Sequence, residues 1–527
     1  MAERFKAVVL KTTGGLRLPW VRIPPPPPIP DAPRLLASLL ACLGLAACGG
    51  AGGSAVGGCP TGQVAAGATC SVPGPVVSVW VTWPDRSRLV ARDADLAFLA
   101  GTAPAKLISV DPATRFQSMV GFGATLTDAS ALNLTTHLAD PARAALLAEL
   151  FGRTGGGLGL SFMRLPIGAS DFSTSRYTFD DMPAGQVDDA LAAFSIAPLQ
   201  SATLPLLKAA LAANPSLRIM ATPWSPPAWM KTNDSLVQVA GITATLRPAA
   251  YGAFARYLGR FADAMEAEGV PLYALSLQNE PGYEPPDYPG MRLDTGQRAL
   301  LLGQYVGPLF AARANPVRLL EWDHNWDAPG EPLGVLADAT ARPYVGGVAW
   351  HCYAGDPTSQ AQVHDAYPDK DTYFTECSGG GWAPVWQDNL LWMVDTLLIG
   401  TTRNWARAVM LHNLALDETG GPHDGGCGNC RGVLTIDSST GQVTRNEEYY
   451  ALAHFSRFVR PGAERVASTT GVGGLDSVAF RNADDGSVVL VVANTAAAAT
   501  TFGIVSAART AAYTLPAGAV ATFTWAP

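Results

Sequence analysis

An ordered series of eight short apolar runs, separated by stretches of helical character, restricts the fold more than any other feature. In order, the runs are MVGFGATL, LSFMRLPIG, RIMATPWS, YALSLQNE, VRLLEWDHN, GVAWHCYAG, TYFTECSG and RAVMLHNLAL. Helical stretches include 141–151, 250–269 and 295–313. Regular alternation of strand and helix is typical of parallel α/β proteins, and eight units are the number that closes a barrel. We therefore predict an α/β chain with a (β/α)8 barrel over residues 113–457.

Each run starts apolar and ends in polar or aromatic residues. These residues are Asp128, Arg164, Trp224, Asn279, Glu280, Asp323, His351, Tyr353, Glu376 and Asn413. In a barrel they ring one mouth, where barrel enzymes place their chemistry. A doubly wound open sheet alternates similarly, but it usually carries a Gly-rich phosphate loop. The glycines at 155–157 lack the spacing and the lysine of such a loop, and they indicate a turn.

Both ends of the central region look like strands. Apolar or alternating runs occupy 76–110, and four short β-type runs separated by Gly, Asn and Asp lie between 477 and 525. We predict one β-sandwich side domain, made from residues 76–112 and residues 458–527.

The start of the chain resembles an export signal. Residues 35–45 are apolar, follow Arg34 and are too short to span a bilayer as a helix. The sequence LAAC at 45–48 resembles the bacterial lipoprotein cleavage box, which predicts a signal over 1–48, a lipid on Cys48 and a flexible linker over 49–75. A plain secretory signal is the alternative. Under the first interpretation the protein is a periplasmic or cell-surface lipoprotein, bound to a membrane only through its lipid; under the second it is secreted.

The charge excludes one class of partner. The net charge is −8 and no run of Lys or Arg is present, so we expect no nucleic-acid binding.

Six cysteines follow the predicted signal as three pairs: Cys59 with Cys70, Cys352 with Cys377, and Cys427 with Cys430. In an exported chain the first pair predicts a disulfide. The third pair, in HDGGCGNC, invites a zinc interpretation, but a structural zinc site needs four ligands. We therefore predict a second disulfide there, and no metal. The middle pair we interpret as core thiols that face away from the barrel lumen.

Two glutamates, Glu280 and Glu376, end the fourth and seventh runs. Retaining glycosidases use two carboxyl groups, one to attack C1 of the sugar and one to protonate the leaving oxygen. Asn279, directly before Glu280, can donate to the sugar 2-hydroxyl. Alternatively, either glutamate could be a buried structural partner of an Arg or a His.

Eight ordered motifs over residues 113–462 resemble glycoside hydrolase family 30, the family of glucosylceramidases and β-1,6-glucanases. They are GFGATLTDASALN, MRLPIGASDFS, ATPWSPPAWMKTN, LSLQNEP, HCYAG, TECSG, NLALDETGGP and GGCGNCRGV. The resemblance implies a TIM barrel, a fused β-sandwich and retention of configuration. It implies that Glu280 is the acid/base and Glu376 the nucleophile. It places Asp128, Trp224, Asn279 and Tyr353 around the sugar, and Arg164 and His351 beside the carboxylates.

Each implied role has a physical basis. Asp128 can accept from two sugar hydroxyls, and Trp224 can stack on the apolar sugar face. Tyr353 can donate to Glu376 and Arg164 can keep it ionised, which lowers its pKa. The alternative is that the aspartate forms a structural salt bridge and that the aromatic residues simply belong to the core.

The sugar pocket departs from the animal glucosylceramidases at one position. His412 stands where they have Trp, which predicts a smaller, more polar pocket wall. We expect leaving-group contacts from Trp382, Tyr283 and the loop 284–289.

These observations predict a retaining hydrolase of β-glucosides, with glucosylceramide-type lipids as the favoured substrates. An endo-β-1,6-glucanase or a β-xylosidase on the same scaffold is the alternative, and a noncatalytic glycan-binding lipoprotein is a remote one. No cofactor is expected, because two carboxylates suffice for the reaction.

Overall fold

The structure, a computed structural model, describes residues 64–66, 69–71, 74–100 and 103–526. The predicted lipid on Cys48 and the predicted Cys59–Cys70 bond fall outside what it describes. Two short strands at the start, Val64–Ala66 and Thr69–Ser71, pair antiparallel. Within the described chain, no helix combines the length and the apolar character needed to cross a bilayer.

The eight predicted runs form a closed barrel of eight parallel strands, which confirms the predicted fold. Neighbours in sequence are neighbours in the barrel, and the last strand pairs with the first. The strands are β1 (Gly121–Thr125), β2 (Phe162–Pro166), β3 (Arg218–Thr222), β4 (Ala274–Ser276), β5 (Arg318–Asn325), β6 (Val345–His351), β7 (Asp371–Glu376) and β8 (Ala406–Leu411).

Apolar side chains of alternate strand positions fill the lower barrel. One cluster takes residues from all barrel strands except β1, together with Val120 just before it: Val120, Phe162, Met220, Ala274, Leu320, Ala349, Tyr373, Ala408 and Met410. A larger cluster lies between the strands and the surrounding helices. Since the lower lumen is filled by side chains, it is a packed core and the open mouth is left for chemistry.

Helices connect the strands and cover the barrel. Two predicted helices are observed at Asp140–Phe151 and Tyr251–Ala267, and the third predicted stretch begins at Thr295 as expected but is interrupted by π-helical turns. The α-helices are Asp128–Thr136, Asp140–Phe151, Thr203–Ala213, Tyr251–Ala267, Thr295–Leu300, Gly307–Ala311, Gly330–Ala337, Thr358–Ala366, Trp386–Trp392, Thr401–Arg403 and Glu447–Ser456, and the π-helical segments are Leu301–Val306 and Met393–Gly400.

A ten-stranded sheet, built from both ends of the described chain, forms the side domain, and this confirms the predicted β-sandwich. Its strands run in the order Arg509–Leu515, Thr500–Ser506, Leu107–Ser118, Glu464–Ser468, Leu475–Arg481, Val488–Asn494, Val520–Trp525, Val76–Thr82 and Ala91–Arg92, with Leu96–Ala97 also paired to Val76–Thr82. The two ends of this sheet meet where Leu99 and Thr510 exchange backbone hydrogen bonds of 3.0 and 2.9 Å, and a separate hydrophobic core lies inside.

The boundary between the domains differs from the predicted one at residue 112. The strand Leu107–Ser118 continues past it, because Ser118 still pairs with Glu464 of the sandwich. The barrel therefore begins just before β1. His454, in the helix Glu447–Ser456, connects the two domains. Its ring nitrogens lie 2.8 Å from the hydroxyls of Thr522 and Thr82 in the sandwich strands.

Candidate active site

The carboxyl ends of the strands bring the predicted catalytic residues to one mouth. Glu280 follows β4 and Glu376 ends β7. Arg164 lies in β2, and His351 ends β6. Because all eight strands are parallel, side chains that are more than a hundred residues apart in sequence become neighbours.

Arg164 is a fully buried centre of this cluster. One terminal nitrogen, Nη2, donates to Oδ1 of Asn279 at 2.7 Å and to Oδ2 of Asp323 at 2.9 Å. The other, Nη1, is bonded to Oε2 of Glu376. A buried guanidinium paired with carboxylates stays charged and holds them in fixed positions. Arg164 therefore orients Glu376 and also fixes the Asn279 amide, whose Nδ2 has no hydrogen-bond acceptor among the described residues.

His351 lies between the two glutamates. Its Nδ1 is 3.1 Å from Oε1 of Glu280 and 3.9 Å from Oε1 of Glu376. The two oxygens are therefore no more than the sum of these distances apart, 7.0 Å. Retaining enzymes hold their carboxyl groups about 5–5.5 Å apart and inverting enzymes about 6.5–9.5 Å. The arrangement fits retention and leaves only the short end of the inverting range.

The surroundings of Glu376 suit a nucleophile. Its Oε1 accepts a 2.9 Å hydrogen bond from the Tyr353 hydroxyl, the contact that the sequence analysis predicts. Burial raises the pKa of Glu376, but His412, His351 and Arg164 outweigh burial and lower it. The carboxylate is therefore ionised at neutral pH, as attack on C1 requires.

The backbone of Glu280 is left-handed, with a φ of +47° that non-glycine residues rarely adopt. Its amide donates to the carbonyl of Asp323 at 3.0 Å, which holds this conformation. Burial raises the pKa of Glu280, whereas His324 and His351 outweigh burial and lower it. Burial lowers the pKa of His351, but the carboxylates around it raise it to about 9. In the free protein the proton of the Glu280–His351 hydrogen bond is thus held mainly on the imidazole.

Asp323 joins the cluster from below; its place at the mouth was predicted, but its contacts were not. Its buried carboxylate accepts from Ser276 at 2.7 Å, Thr375 at 2.7 Å and Arg164, and contacts Nε2 of His351 at 3.0 Å. Burial raises its pKa, but Arg164 and His351 outweigh burial and lower it. Its position at the end of a barrel strand was the only sequence signal for this role.

Asp128 begins the helix after β1 and faces the mouth. Its Oδ2 accepts hydrogen bonds from Ser173 at 2.6 Å and Tyr177 at 2.9 Å, and burial raises its pKa against the effect of these bonds. Its second oxygen has no partner among the described residues, so one acceptor is available to a sugar hydroxyl. Neither Ser173 nor Tyr177 was singled out from the sequence.

Trp224 is placed differently from the predicted stacking platform. Its ring is 2% exposed, lies 4.8 Å from the guanidinium carbon of Arg164, and packs nearly parallel to His412 at 5.9 Å. These contacts cover much of the ring. Its indole N–H has no hydrogen-bond partner in the described part of the chain.

His412 lies beside Trp224 at the mouth. It is 2% exposed, and its Nε2 lies 3.4 Å from Oδ1 of Asp171. Its Nδ1 is buried without a hydrogen-bond partner among the described residues.

The loops around the mouth carry the predicted leaving-group residues. Tyr283 is 38% exposed and packs against Tyr288 at 6.5 Å between ring centres. Trp382 packs against the Cys427–Cys430 disulfide, in the same small cluster as Phe172. The amide of Gly426 donates to Asp287 at 3.1 Å and so ties the disulfide loop to the loop 284–289.

The interpretation of Cys352 and Cys377 as core thiols was wrong, because they form a disulfide. His351 and Glu376 are paired at the ends of neighbouring parallel strands. The residues that follow them therefore lie side by side, with their Cα atoms 5.5 Å apart, a separation that a disulfide bridges. The bond ties together the two strand ends that carry His351 and Glu376.

Comparison with known families agrees with this geometry. Residues 119–459 match the glycosyl hydrolase family 30 TIM-barrel domain, and residues 462–523 match the glycosyl hydrolase family 30 beta sandwich domain. The chain belongs to glycosyl hydrolase family 30. It is therefore a glycosidase, and the alternative of a noncatalytic glycan-binding protein is set aside.

Family 30 relatives of two activities resemble the chain. An endo-1,6-β-D-glucanase of Trichoderma harzianum is 36% identical over 405 residues, covering 72% of this chain and 78% of the relative. The lysosomal acid glucosylceramidase of Mus musculus is 27% identical over 425 residues, covering 75% and 78%. The solved structure of an endo-β1,6-glucanase superimposes with a TM-score of 0.78 at 31% identity, covering 86% of this chain and 99% of that one.

Proposed function

We propose that this family 30 enzyme cleaves β-1,6-linked glucan with retention of configuration. The observation that carries this proposal is the greater similarity to the 1,6-β-glucanase, 36% against 27% for the mouse glucosylceramidase. The proposal replaces glucosylceramide, the substrate favoured by the sequence analysis, with the alternative named there. Two features of the mouth support it.

The first feature is the lack of a continuous apolar surface for a lipid. Among the described residues, exposed large hydrophobic side chains occur singly on separate segments: Val76, Leu107, Leu132, Val187, Ile242, Tyr283 and Val385. A ceramide presents two alkyl chains, and binding them requires a contiguous apolar groove. A glucan leaving group instead needs hydrogen-bonding groups and scattered aromatic rings, which the mouth provides with Tyr283 and Asp287.

The second feature is the pocket wall formed by His412 and Asp171. Their contact places an imidazole and a carboxylate where a sugar hydroxyl can bond to either group. A polar wall binds the glucosyl unit by its hydroxyls, and it replaces the Trp that animal glucosylceramidases have at this position.

The first chemical step forms a glycosyl-enzyme. Glu376 attacks C1 of the sugar, and the bond between C1 and the glycosidic oxygen breaks with its electron pair passing to that oxygen. Glu280 protonates the oxygen as it leaves, with the proton that the Glu280–His351 hydrogen bond holds in the free protein. Asn279 donates to the 2-hydroxyl from the amide that Arg164 has fixed.

The second step reverses the roles. Glu280, now a carboxylate, takes a proton from water, whose oxygen attacks C1 from the face that the leaving group vacated. The bond between C1 and Glu376 breaks and Glu376 becomes a carboxylate again. Two inversions at C1 release a product with the β configuration of the substrate.

Direct competition between a β-1,6-linked glucan and glucosylceramide tests the substrate. We expect a much higher kcat/KM for the glucan, and chain-length analysis of the products then separates internal from terminal cleavage. The variant His412→Trp should lower kcat/KM for both substrates, because it changes the wall that faces the glucosyl unit they share. A higher kcat/KM for glucosylceramide than for the glucan in the unmodified protein would contradict the proposed substrate but not the two-glutamate chemistry.

We also propose that the enzyme is exported and held at a membrane by a lipid on Cys48. The basis is the sequence LAAC at 45–48 after an apolar stretch. Expression of the full chain in a bacterium, followed by membrane fractionation, tests it. Cys48→Ala should move the enzyme from the membrane fraction into the soluble fraction, because one residue carries the acyl chains. An unchanged membrane fraction would contradict the anchor.

A further inference from the structure

Glu280, His324 and His351 direct one oxygen and two ring nitrogens into the same small space. One ligand atom from each residue lies within 4.8 Å of the other two. Oε1 of Glu280 is 3.5 Å from Nδ1 of His324 and 3.1 Å from Nδ1 of His351. Zinc bonds of about 2.0–2.1 Å at tetrahedral angles place ligand atoms about 3.3 Å apart. Two of the three separations therefore already have the value that a bound zinc ion requires.

His324 is paired with Glu280 by charge, and no hydrogen bond among the described residues fixes its buried Nδ1. Trp322 and Asp323 have positive φ angles, and the pairing of β5 with β6 shifts register between Trp322 and His324. Such an irregularity changes the direction of the side chains that follow it. The local backbone thus brings the His324 imidazole to Glu280, where its Nδ1 lies 3.5 Å from Oε1 of the carboxylate.

His351 has the support that metal-binding histidines usually have. Its Nε2 lies 3.0 Å from Oδ1 of Asp323, which leaves Nδ1 directed at Glu280. A carboxylate on the far nitrogen fixes the ring and makes the near nitrogen a better ligand. Asp323 is itself held by Ser276 and Thr375, so this support is rigid.

The ligand set indicates which cation fits. The Glu280 carboxylate faces the two imidazoles, whereas the carboxylates of Glu376 and Asp323 pair with the Arg164 guanidinium. Two imidazoles and one carboxylate suit Zn²⁺ and similar transition metals, whereas Mg²⁺ and Ca²⁺ prefer oxygen ligands alone.

We propose that Glu280, His324 and His351 form a binding site for a divalent transition metal ion, with Zn²⁺ the best fit, and that the bound ion inhibits the enzyme. A metal on the Glu280 carboxylate prevents this residue from protonating the leaving oxygen. It also occupies the space beside the scissile bond, so inhibition competes with substrate and is reversed by a chelator. Inhibition rests on the acid/base role of Glu280 in the proposed function, whereas metal binding does not.

Direct titration of the full, metal-free protein tests the binding. Calorimetry with Zn²⁺ should give one site, and Co²⁺ should give the visible absorption bands of a tetrahedral ion. His324→Gln and, separately, Glu280→Gln should weaken Zn²⁺ binding about 10- to 100-fold or more. The matched control is His137→Gln: this residue caps the far end of the helix Asp128–Thr136, which leads away from the mouth. His137→Gln should bind Zn²⁺ as the unmodified protein does.

Circular dichroism shows whether each variant folds. If one variant does not fold, the Zn²⁺ affinity of the other tests the site. Unchanged Zn²⁺ affinity in a folded His324→Gln or Glu280→Gln variant would overturn the proposed site. With a hydrolysed aryl β-glucoside, Zn²⁺ should raise the apparent KM of the unmodified protein and leave kcat unchanged, with full recovery on chelation. Tight, His324-dependent Zn²⁺ binding without this inhibition would overturn the inhibitory part of the proposal and leave the metal site in place. The acid role of Glu280 is tested separately, because Glu280→Ala should retain the first step only on substrates with good leaving groups.

Discussion

Tyr353 donates a hydrogen bond to Oε1 of Glu376 across 2.9 Å. Hydrogen bonds to a charged group contribute about 1.5–3 kcal/mol. Tyr353→Phe removes this bond and leaves the ring in place, so we expect kcat/KM on β-glucosides to fall about ten- to a hundredfold. Because the bond stabilises the ionised carboxylate, its loss raises the pKa of Glu376 and moves the acidic limb of the pH profile to higher pH. If the acidic limb of Tyr353→Phe lies at the same pH as that of the unmodified protein, the Tyr353 hydrogen bond does not control the ionisation of Glu376.

His351 should make stability depend on pH on the alkaline side. The carboxylates around it raise its pKa from 6.5 to about 9. A raised pKa in the folded state means that the stabilisation is fully present below about pH 6.5 and is lost as pH rises through about 9. We expect the melting temperature to fall across this interval, and His351→Asn to show a smaller decrease over the same interval. If the melting temperatures of the two proteins change with pH in the same way, the raised pKa of His351 is not the cause of the alkaline loss of stability.

The Cys352–Cys377 disulfide should stabilise the enzyme more than the Cys427–Cys430 disulfide. The first closes a separation of 25 residues and the second a separation of 3. In the chain-entropy description, a loop of this larger size contributes about 3 kcal/mol, and shorter loops contribute less. The double variant Cys352→Ala/Cys377→Ala should therefore melt at a lower temperature than Cys427→Ala/Cys430→Ala.

The same pair of variants separates positioning from stability. Loss of the Cys352–Cys377 bond frees the ends of the strands that carry His351 and Glu376, so kcat should fall with little change in KM at temperatures where the variant is folded. Loss of the Cys427–Cys430 bond loosens the loop beside Asp287 and should change KM for long glucans instead. If both double variants change kcat and KM equally, the two disulfides do not have these separate roles.

Much of the fold was predictable because its signals are local. Each barrel strand lies in an apolar run that leads to polar or aromatic residues, and Glu280 follows β4 while Glu376 ends β7, as the runs LSLQNE and TYFTE indicate. The limit of the sandwich strand at Ser118 was not predictable, since it depends on pairing with Glu464, a residue more than 300 positions away.

Which residues form the site was predictable, but the contacts between them were not. Resemblance to a family identified Glu280 and Glu376, whereas the disulfide between Cys352 and Cys377 depends on the register of β6 against β7. The covering of Trp224 by Arg164 and His412 likewise depends on side chains from three strands. Asp323 and His324 lacked a sequence signal for their contacts, because positive φ angles at Trp322 and Asp323 redirect this strand end.

The measurement that tests the central claim most directly is the anomeric configuration of azide adducts formed by two variants from an activated aryl β-glucoside. Glu376→Ala should lose hydrolysis and regain turnover with azide, which attacks once and gives the α-glycosyl azide. Glu280→Ala should keep the first step, because a good leaving group needs no proton, and azide should then give the β-glycosyl azide from the glycosyl-enzyme. The opposite anomers, or the same anomer from both variants, would contradict Glu376 as nucleophile and Glu280 as acid/base.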